Sequence, residues 1–161
     1  MDVTNSGPAT AAAAPNDNAA RRAAMATLAD ARTDEIAALL TVFGVPTHVE
    51  LRPVETGLVM LQGRIGGDGA PFNFGEATVT RAAVRIASGE TGFAYVLGRD
   101  PDKARLAAVC DALWQNADAR APLERDVLTP LRTRLEDARA KRREQTAASR
   151  VDFFTLVRGE D

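Results

Sequence analysis

The stretch TGLVMLQGRIGGDGAPFNFGEATVTRAAVRI, residues 56–86, gives the strongest indication of the fold of this chain. Its two ends are rich in alternating β-branched and apolar residues, which is typical of strands, and its middle is crowded with glycine. In the second half, threonine and apolar side chains share one face, while Arg81 and Arg85 point from the other. We therefore predict strands at residues 56–65 and 76–86, packed on helices by one face and at least partly polar on the other.

The glycine-rich segment between these strands, residues 66–76, admits three interpretations. It lacks the lysine–serine end of a P-loop and the GxGxxG spacing, and it leads into a strand instead of a helix. A hairpin connection is therefore favoured over a phosphate-binding loop. Phe72 and Phe74 are either tucked under this loop or presented to a partner protein. The residues of the phosphate-binding alternative are Gly66, Gly67 and Gly69, together with Arg64 and Arg81.

Outward from this stretch, the sequence predicts an α+β domain. Two further strands are expected at residues 47–52 and 91–99, and Ser88-Gly89-Glu90 is a turn typical of an antiparallel hairpin. The prediction is a mainly antiparallel four-stranded sheet, or a five-stranded one with the C-terminal segment, covered by N-terminal and C-terminal helices. Predicted helices begin near Ala19, at Thr33, at Asp100-Pro101 and at Pro122, and Gly44 is the expected stop of the second.

The chain ends differ from this domain. Residues 1–18 contain no periodic large apolar residues, so we expect a disordered leader before a single domain at residues 19–161. The C-terminal segment RVDFFTLV, residues 150–157, places apolar residues after a charged run. Such a segment adds a strand either to its own sheet or to the edge of a partner. Its candidate contact residues are Val151, Phe153, Phe154 and Leu156.

Composition excludes several classes of function. The chain has 161 residues, a net charge of −2, one cysteine and one histidine, so a disulfide framework and a Cys/His metal cluster are not expected. No stretch is long and apolar enough to span a bilayer, and the basic run at residues 139–143 lacks a nucleic-acid motif. Cys110 fits an apolar helix face, and His48 has no nucleophile at motif spacing. We expect a cytoplasmic protein without its own catalytic set, metal, membrane or nucleic-acid partner.

Arginines recur on the predicted strands. If several of them share the exposed face of the sheet, these arginines would recognise phosphate or carboxylate. The alternative is a solvated face on which the arginines pair with glutamates. The arginines are Arg52, Arg64, Arg81, Arg85 and Arg99, and the glutamates are Glu50, Glu55 and Glu76.

Several stretches together resemble the PhnG family, the small subunit of the bacterial carbon–phosphorus lyase system. They run from about residue 20 to the C-terminus and leave only the leader uncovered. The stretches are residues 55–85, GFAYVLGRD at 92–100, DALWQ at 111–115 and ASRVDFFTLVRGE at 148–160.

This resemblance implies a subunit of a cytoplasmic complex for organophosphonate breakdown. The substrate of the complex is MgATP. An alkylphosphonate displaces adenine from it, and the product is a ribose 1-phosphonate 5-triphosphate. The implied partners are a nucleosidase-like subunit that holds the catalytic centre, an iron–sulfur radical subunit and a further small subunit. The chain itself would bind no cofactor and would contribute to the transferase as an assembly subunit. An alternative is a nucleotide- or phosphate-binding protein that uses its own sheet arginines and glycine loop.

Overall fold

A computed structural model describes residues 15–148, which form one sheet and a set of helices. The helices and strands have the following bounds: α1 Pro15–Asp30, α2 Thr33–Phe43, β1 His48–Arg64, β2 Pro71–Ile86, β3 Thr91–Leu97, α3 Pro101–Gln115, α4 Ala117–Leu123 and α5 Thr129–Ala148. A π-helical segment, Glu124–Leu128, joins α4 to α5. Among residues 15–148, no helix is long and apolar enough to cross a membrane.

The sheet of the described residues has three antiparallel strands in the order β1-β2-β3, so the prediction of four strands, or five, is wrong. The predicted strands at 47–52 and 56–65 are one continuous strand, β1. The proposed fifth strand falls in residues 150–157, which lie outside the described residues. The α+β class and the antiparallel pairing of β2 with β3 are confirmed.

Pro53 explains why two strands were predicted where β1 is one, because a proline within a strand pattern usually marks a break. β1 is an edge strand, so the missing N–H of Pro53 can face away from β2. The pairing slips by one residue between Glu50 and Arg52 and again between Arg52 and Glu55. These irregularities absorb the proline, and the strand continues through it.

The hairpin between β1 and β2 extends far beyond β3. β3 pairs with β2 only from Val79 to Arg85, whereas the β1–β2 ladder continues as far as Arg64 opposite Pro71. Residues 58–78 therefore form a two-stranded projection, here called the hairpin arm, about 23 Å long at 3.3 Å per residue. Half of the predicted loop 66–76 is strand, because β2 begins at Pro71.

The helices cover one side of the sheet, here called the inner face. Alternate residues of β2, from Thr80 to Ile86, are buried there, as predicted from the alternation. α3 packs across β2 and β3, and its predicted cap is confirmed because the Asp100 carboxylate accepts a hydrogen bond from the Lys103 amide. The core also includes Leu28, Ile36, Leu40, Val109, Leu113, Trp114, Leu123, Val127, Leu128 and Leu131.

α1 is tied to this layer by an ion pair whose carboxylate is buried and whose guanidinium is partly exposed. The Asp111 carboxylate of α3 accepts hydrogen bonds of 2.7 and 2.6 Å from the Arg21 guanidinium. It also accepts one of 2.8 Å from the backbone N–H of Phe93, at the outer edge of β3. One side chain therefore joins α1, α3 and the start of β3. α1 begins at Pro15, ahead of the predicted start at residue 19, and the first 14 residues of the predicted leader lie outside the described residues.

Candidate functional site

The hairpin arm exposes a large apolar surface. It carries six exposed large apolar side chains, and their exposed fractions include 62% at Leu58 and 60% at Phe74. Because side chains alternate along a strand, Leu58 and Met60 lie on one side of the arm and Val59 on the other. The side of Leu58 and Met60 also bears the polar residues Gln62, Asn73 and Glu76, whereas the side of Val59 carries the two phenylalanines and is mainly apolar. An exposed apolar side of this kind is typical of a surface that is covered by another protein. The six residues are Leu58, Val59, Met60, Ile65, Phe72 and Phe74.

Phe72 and Phe74 lie together on the arm. Their ring centroids are 6.2 Å apart at an interplanar angle of 55°. A Cβ placed on Gly63 would lie 3.2 Å from the Phe74 ring and 3.8 Å from the Phe72 ring, so both rings cover this glycine. The pairing shifts between Leu61 and Gln62, which places an extra residue, Phe74, on β2. This bulge brings the two aromatic rings to the same side.

The arm ends in a tight turn that is stabilised by its own groups. Gly66 and Gly67 have φ values of 68° and 90°, a region that side chains disfavour, so glycine is required there. The Gly69 N–H donates to the Ile65 carbonyl at 3.1 Å, and the Arg64 guanidinium donates to the Gly69 carbonyl at 3.0 Å. Arg64 thus closes the turn. Among the phosphate-binding residues predicted here, Arg64 and the three glycines come together.

The face of the sheet opposite the helices, here called the open face, carries a second apolar surface. Phe93, Tyr95 and Leu97 of β3 are 53%, 60% and 76% exposed. They flank Ala83 and Val79 of β2, which form a floor of smaller, buried side chains. From the sequence, this face was predicted only to be partly polar. The alternation in FAYVL, residues 93–97, places large apolar side chains at every second position, and this pattern could have indicated the second apolar surface.

Arginines and one glutamate lie beside these aromatic residues. Arg81 donates to Glu55 at 2.8 Å, and Arg52 donates to the same carboxylate oxygen. Hydrogen bonds to Glu55 and Tyr95 raise the pKa of Arg81, and the hydrogen bond from Arg81 holds the pKa of Glu55 below its usual value. The interpretation of paired, exposed charges is confirmed for Arg52 and Arg81 with Glu55.

The structure does not bring Arg64 and Arg81 into one phosphate site. Arg81 pairs with Glu55 in the register, and Arg64 lies nine residues further along β1. At 3.3–3.4 Å per residue, the two positions are about 30 Å apart along the strand. Arg81 is engaged by Glu55, and Arg64 by a backbone carbonyl. A nucleotide-binding function that combines these arginines is therefore not favoured.

The described residues show little that could act in catalysis. Burial raises the pKa of the Cys110 thiol to about 12, so it stays protonated, as a core residue would. His48 is half-buried, and its Nδ1 lies 2.9 Å from the Pro46 carbonyl oxygen. No group of three or more His, Cys, Asp or Glu side chains in residues 15–148 is placed to hold a metal ion.

The candidate contact residues of the C-terminal segment lie outside the described residues, so their role stays a prediction. α5 precedes that segment in the sequence, and beyond Leu135 its side chains are almost all exposed up to residue 147.

Comparison with known proteins adds what this geometry alone cannot provide. Residues 19–159 match the family model described as "Phosphonate metabolism protein PhnG". The chain is also similar to a protein of Rhizobium meliloti (strain 1021), named alpha-D-ribose 1-methylphosphonate 5-triphosphate synthase subunit PhnG. The two are 49% identical over 144 residues, which cover 89% of this chain and 92% of that protein. The chain belongs to the PhnG family of phosphonate metabolism proteins.

Proposed function

We propose that this chain is an assembly subunit of an alpha-D-ribose 1-methylphosphonate 5-triphosphate synthase, and that it supports catalysis by a partner. Membership of the PhnG family and the name of the Rhizobium relative support the complex. The hairpin arm is the observation that supports the role of this chain as an assembly subunit of that complex. A ribbon that exposes large apolar side chains gains free energy when they pack against a surface of another protein.

The reaction of the complex joins the ribose triphosphate part of ATP to an alkylphosphonate and releases adenine. MgATP is its substrate, and the catalytic groups belong to a nucleosidase-like partner. An iron–sulfur radical subunit and a further small subunit complete the cytoplasmic core. The chain would bind no cofactor of its own, and its part is to hold partner surfaces in place through the arm.

The C-terminal residues Val151, Phe153, Phe154 and Leu156 are a second proposed contact. They lie outside the described residues, and their sequence is typical of a strand that pairs with an exposed edge. A truncated chain that ends after residue 150 tests this contact, because it should be retained less well in the complex than the full chain.

Co-expression tests the proposal. The tagged chain is expressed with the other synthase subunits of the same genome, and the purified material is assayed for subunit content and for adenine release from MgATP and methylphosphonate. We expect a Phe72→Ser/Phe74→Ser variant to fold but to lose its companions and activity. Val42→Ser is the matched control, since Val42 is an exposed apolar residue on α2, away from the arm.

Two outcomes would contradict the proposal. If the wild-type chain captures no synthase subunit and does not raise adenine release, it is not a subunit of this enzyme. If the arm variant assembles and reacts as the wild type does, the arm plays no part in assembly.

A further inference from the structure

We infer that the open face of the sheet is a second docking surface, and that its occupant is a partner subunit that presents apolar side chains around a carboxylate placed over Arg85. This inference rests on the proposed function. It concerns residues of β2 and β3 that are separate from the hairpin arm and from the C-terminal segment.

The apolar part of this surface is contiguous. In the sheet register, Ala83 lies opposite Phe93, Arg81 opposite Tyr95, and Val79 opposite Leu97. The large side chains thus form one row beside a lower floor, which makes a shallow trough along β2. Phenylalanine, tyrosine and arginine are enriched at the centres of protein interfaces, where they provide most of the binding free energy.

The charge of the trough selects the occupant. Its charged side chains are Arg52, Arg81 and Arg85 with one carboxylate, Glu55, which leaves a local charge of +2 on a chain whose net charge is −2. Arg52 and Arg81 share that carboxylate. Arg85 forms no ion pair within residues 15–148, and its Nε reaches only the Thr91 hydroxyl, at 3.5 Å.

An uncovered aromatic row beside an unneutralised guanidinium favours a partner that supplies both apolar contacts and negative charge. A second copy of this chain is a poor occupant, because a two-fold interface places the same patch on both sides. The guanidinium groups would then face one another, and like charges oppose association. A heterologous acidic partner satisfies both requirements.

Two variants test the trough in the same co-expression assay. Phe93→Ala/Tyr95→Ala removes the aromatic row, and Arg85→Glu reverses the free charge. We expect each to weaken retention of a synthase subunit at least about tenfold, measured by titration of the purified partner subunits with the labelled chain. The loss for Arg85→Glu should shrink as the salt concentration rises, because the attraction is electrostatic.

The matched control for the aromatic variant is Val42→Ala on α2. The matched control for Arg85→Glu is Arg134→Glu on α5. Both side chains are exposed and lie outside the sheet. Thermal melting of every variant separates a loss of binding from a loss of folding. All five substituted positions are exposed to solvent, so the melting temperatures should stay near that of the wild type.

The outcomes separate this inference from the proposed function. Capture of no subunit by the wild type overturns both. Retention of both trough variants at wild-type strength, with loss of the arm variant, overturns the inference alone. It is also overturned if the isolated chain dimerises and Arg85→Glu abolishes the dimer, or if it binds ATP in calorimetry and that variant abolishes the heat.

Discussion

Replacement of Gly92 by alanine tests how closely α3 approaches the sheet. Gly92 is a buried residue of β3 that lies opposite Val84. A Cβ at this position would lie 1.9 Å from the carbonyl oxygen of Ala108 and 2.5 Å from the backbone nitrogen of Ala112. Both atoms belong to the backbone of α3, so no side-chain rotation can relieve the clash.

The size of the effect follows from the distance that α3 must move. Restoring an ordinary contact of 3.4 Å requires a displacement of about 1.5 Å. α3 contributes nine buried residues, and a gap of 0.5–1 Å already forfeits a quarter to a half of the dispersion energy of a contact. Overpacking typically costs about 1–3 kcal/mol, and a backbone clash belongs at the upper end. We expect Gly92→Ala to lower the free energy of unfolding by about 3 kcal/mol and the melting temperature by about 10 °C.

Urea unfolding followed by tryptophan fluorescence measures this loss. Trp114 is the only tryptophan, and it is buried on α3, so it reports on the layer that must move. Gly57→Ala is the matched control, because Gly57 is also a strand glycine but has no atom within 4 Å of an added Cβ. It should be neutral or stabilising by up to about 1 kcal/mol. Equal midpoints for the two variants would refute the close approach of α3 to β3.

Other predictions concern individual side chains. Asp111→Ala leaves the partly exposed Arg21 charge and a backbone N–H without their acceptor, so thermal unfolding should show a loss of about 2 kcal/mol, and a loss below about 1 kcal/mol would contradict the anchoring role of Asp111. The hydrogen bond from Thr33 holds the pKa of Asp100 below its ordinary value, so this carboxylate stabilises the fold above its unfolded pKa and loses that effect as pH falls through the folded pKa. The melting temperature of Asp100→Asn should therefore fall less than that of the wild type between about pH 5 and pH 3, and parallel curves would argue against this role. Cys110, whose pKa is raised to about 12 by burial, should react with an aromatic disulfide reagent at pH 8 only after urea is added; rapid labelling of the folded chain would show that α3 opens.

Local signals in the sequence predicted the element types well. Asp100 with Pro101 starts α3, and Gly44, at φ 96°, ends α2 with its N–H donating to the Leu40 carbonyl. The turn that contains Gly89 joins β2 to β3. Each of these features depends on the conformational preference or hydrogen bond of a residue and its near neighbours, so it can be recognised without knowledge of the rest of the chain.

The helices after α3 show where such signals mislead. Pro122 was expected to begin a helix, but it lies inside α4, which begins at Ala117 and is capped by Asn116. The Asn116 side chain accepts hydrogen bonds from the amides of Asp118 and Ala119. Proline is tolerated where its missing N–H costs little, and the π-helical segment that follows α4 adjusts the chain before α5.

The α+β class, the inner and outer sides of β2, the lack of a recognisable catalytic motif and the resemblance to a phosphonate metabolism family were all predictable from the sequence. These features are encoded in alternation, caps and long motifs that the chain carries locally. The number of strands in the described sheet depends on the packed fold: there are three, because an edge position allows β1 to pass through Pro53. The extension of the hairpin arm beyond β3 and the outward-facing aromatic residues beside Arg85 likewise emerge only from the packed fold. Exposure depends on which elements cover a strand, and that is a property of the packed chain and not of any single stretch.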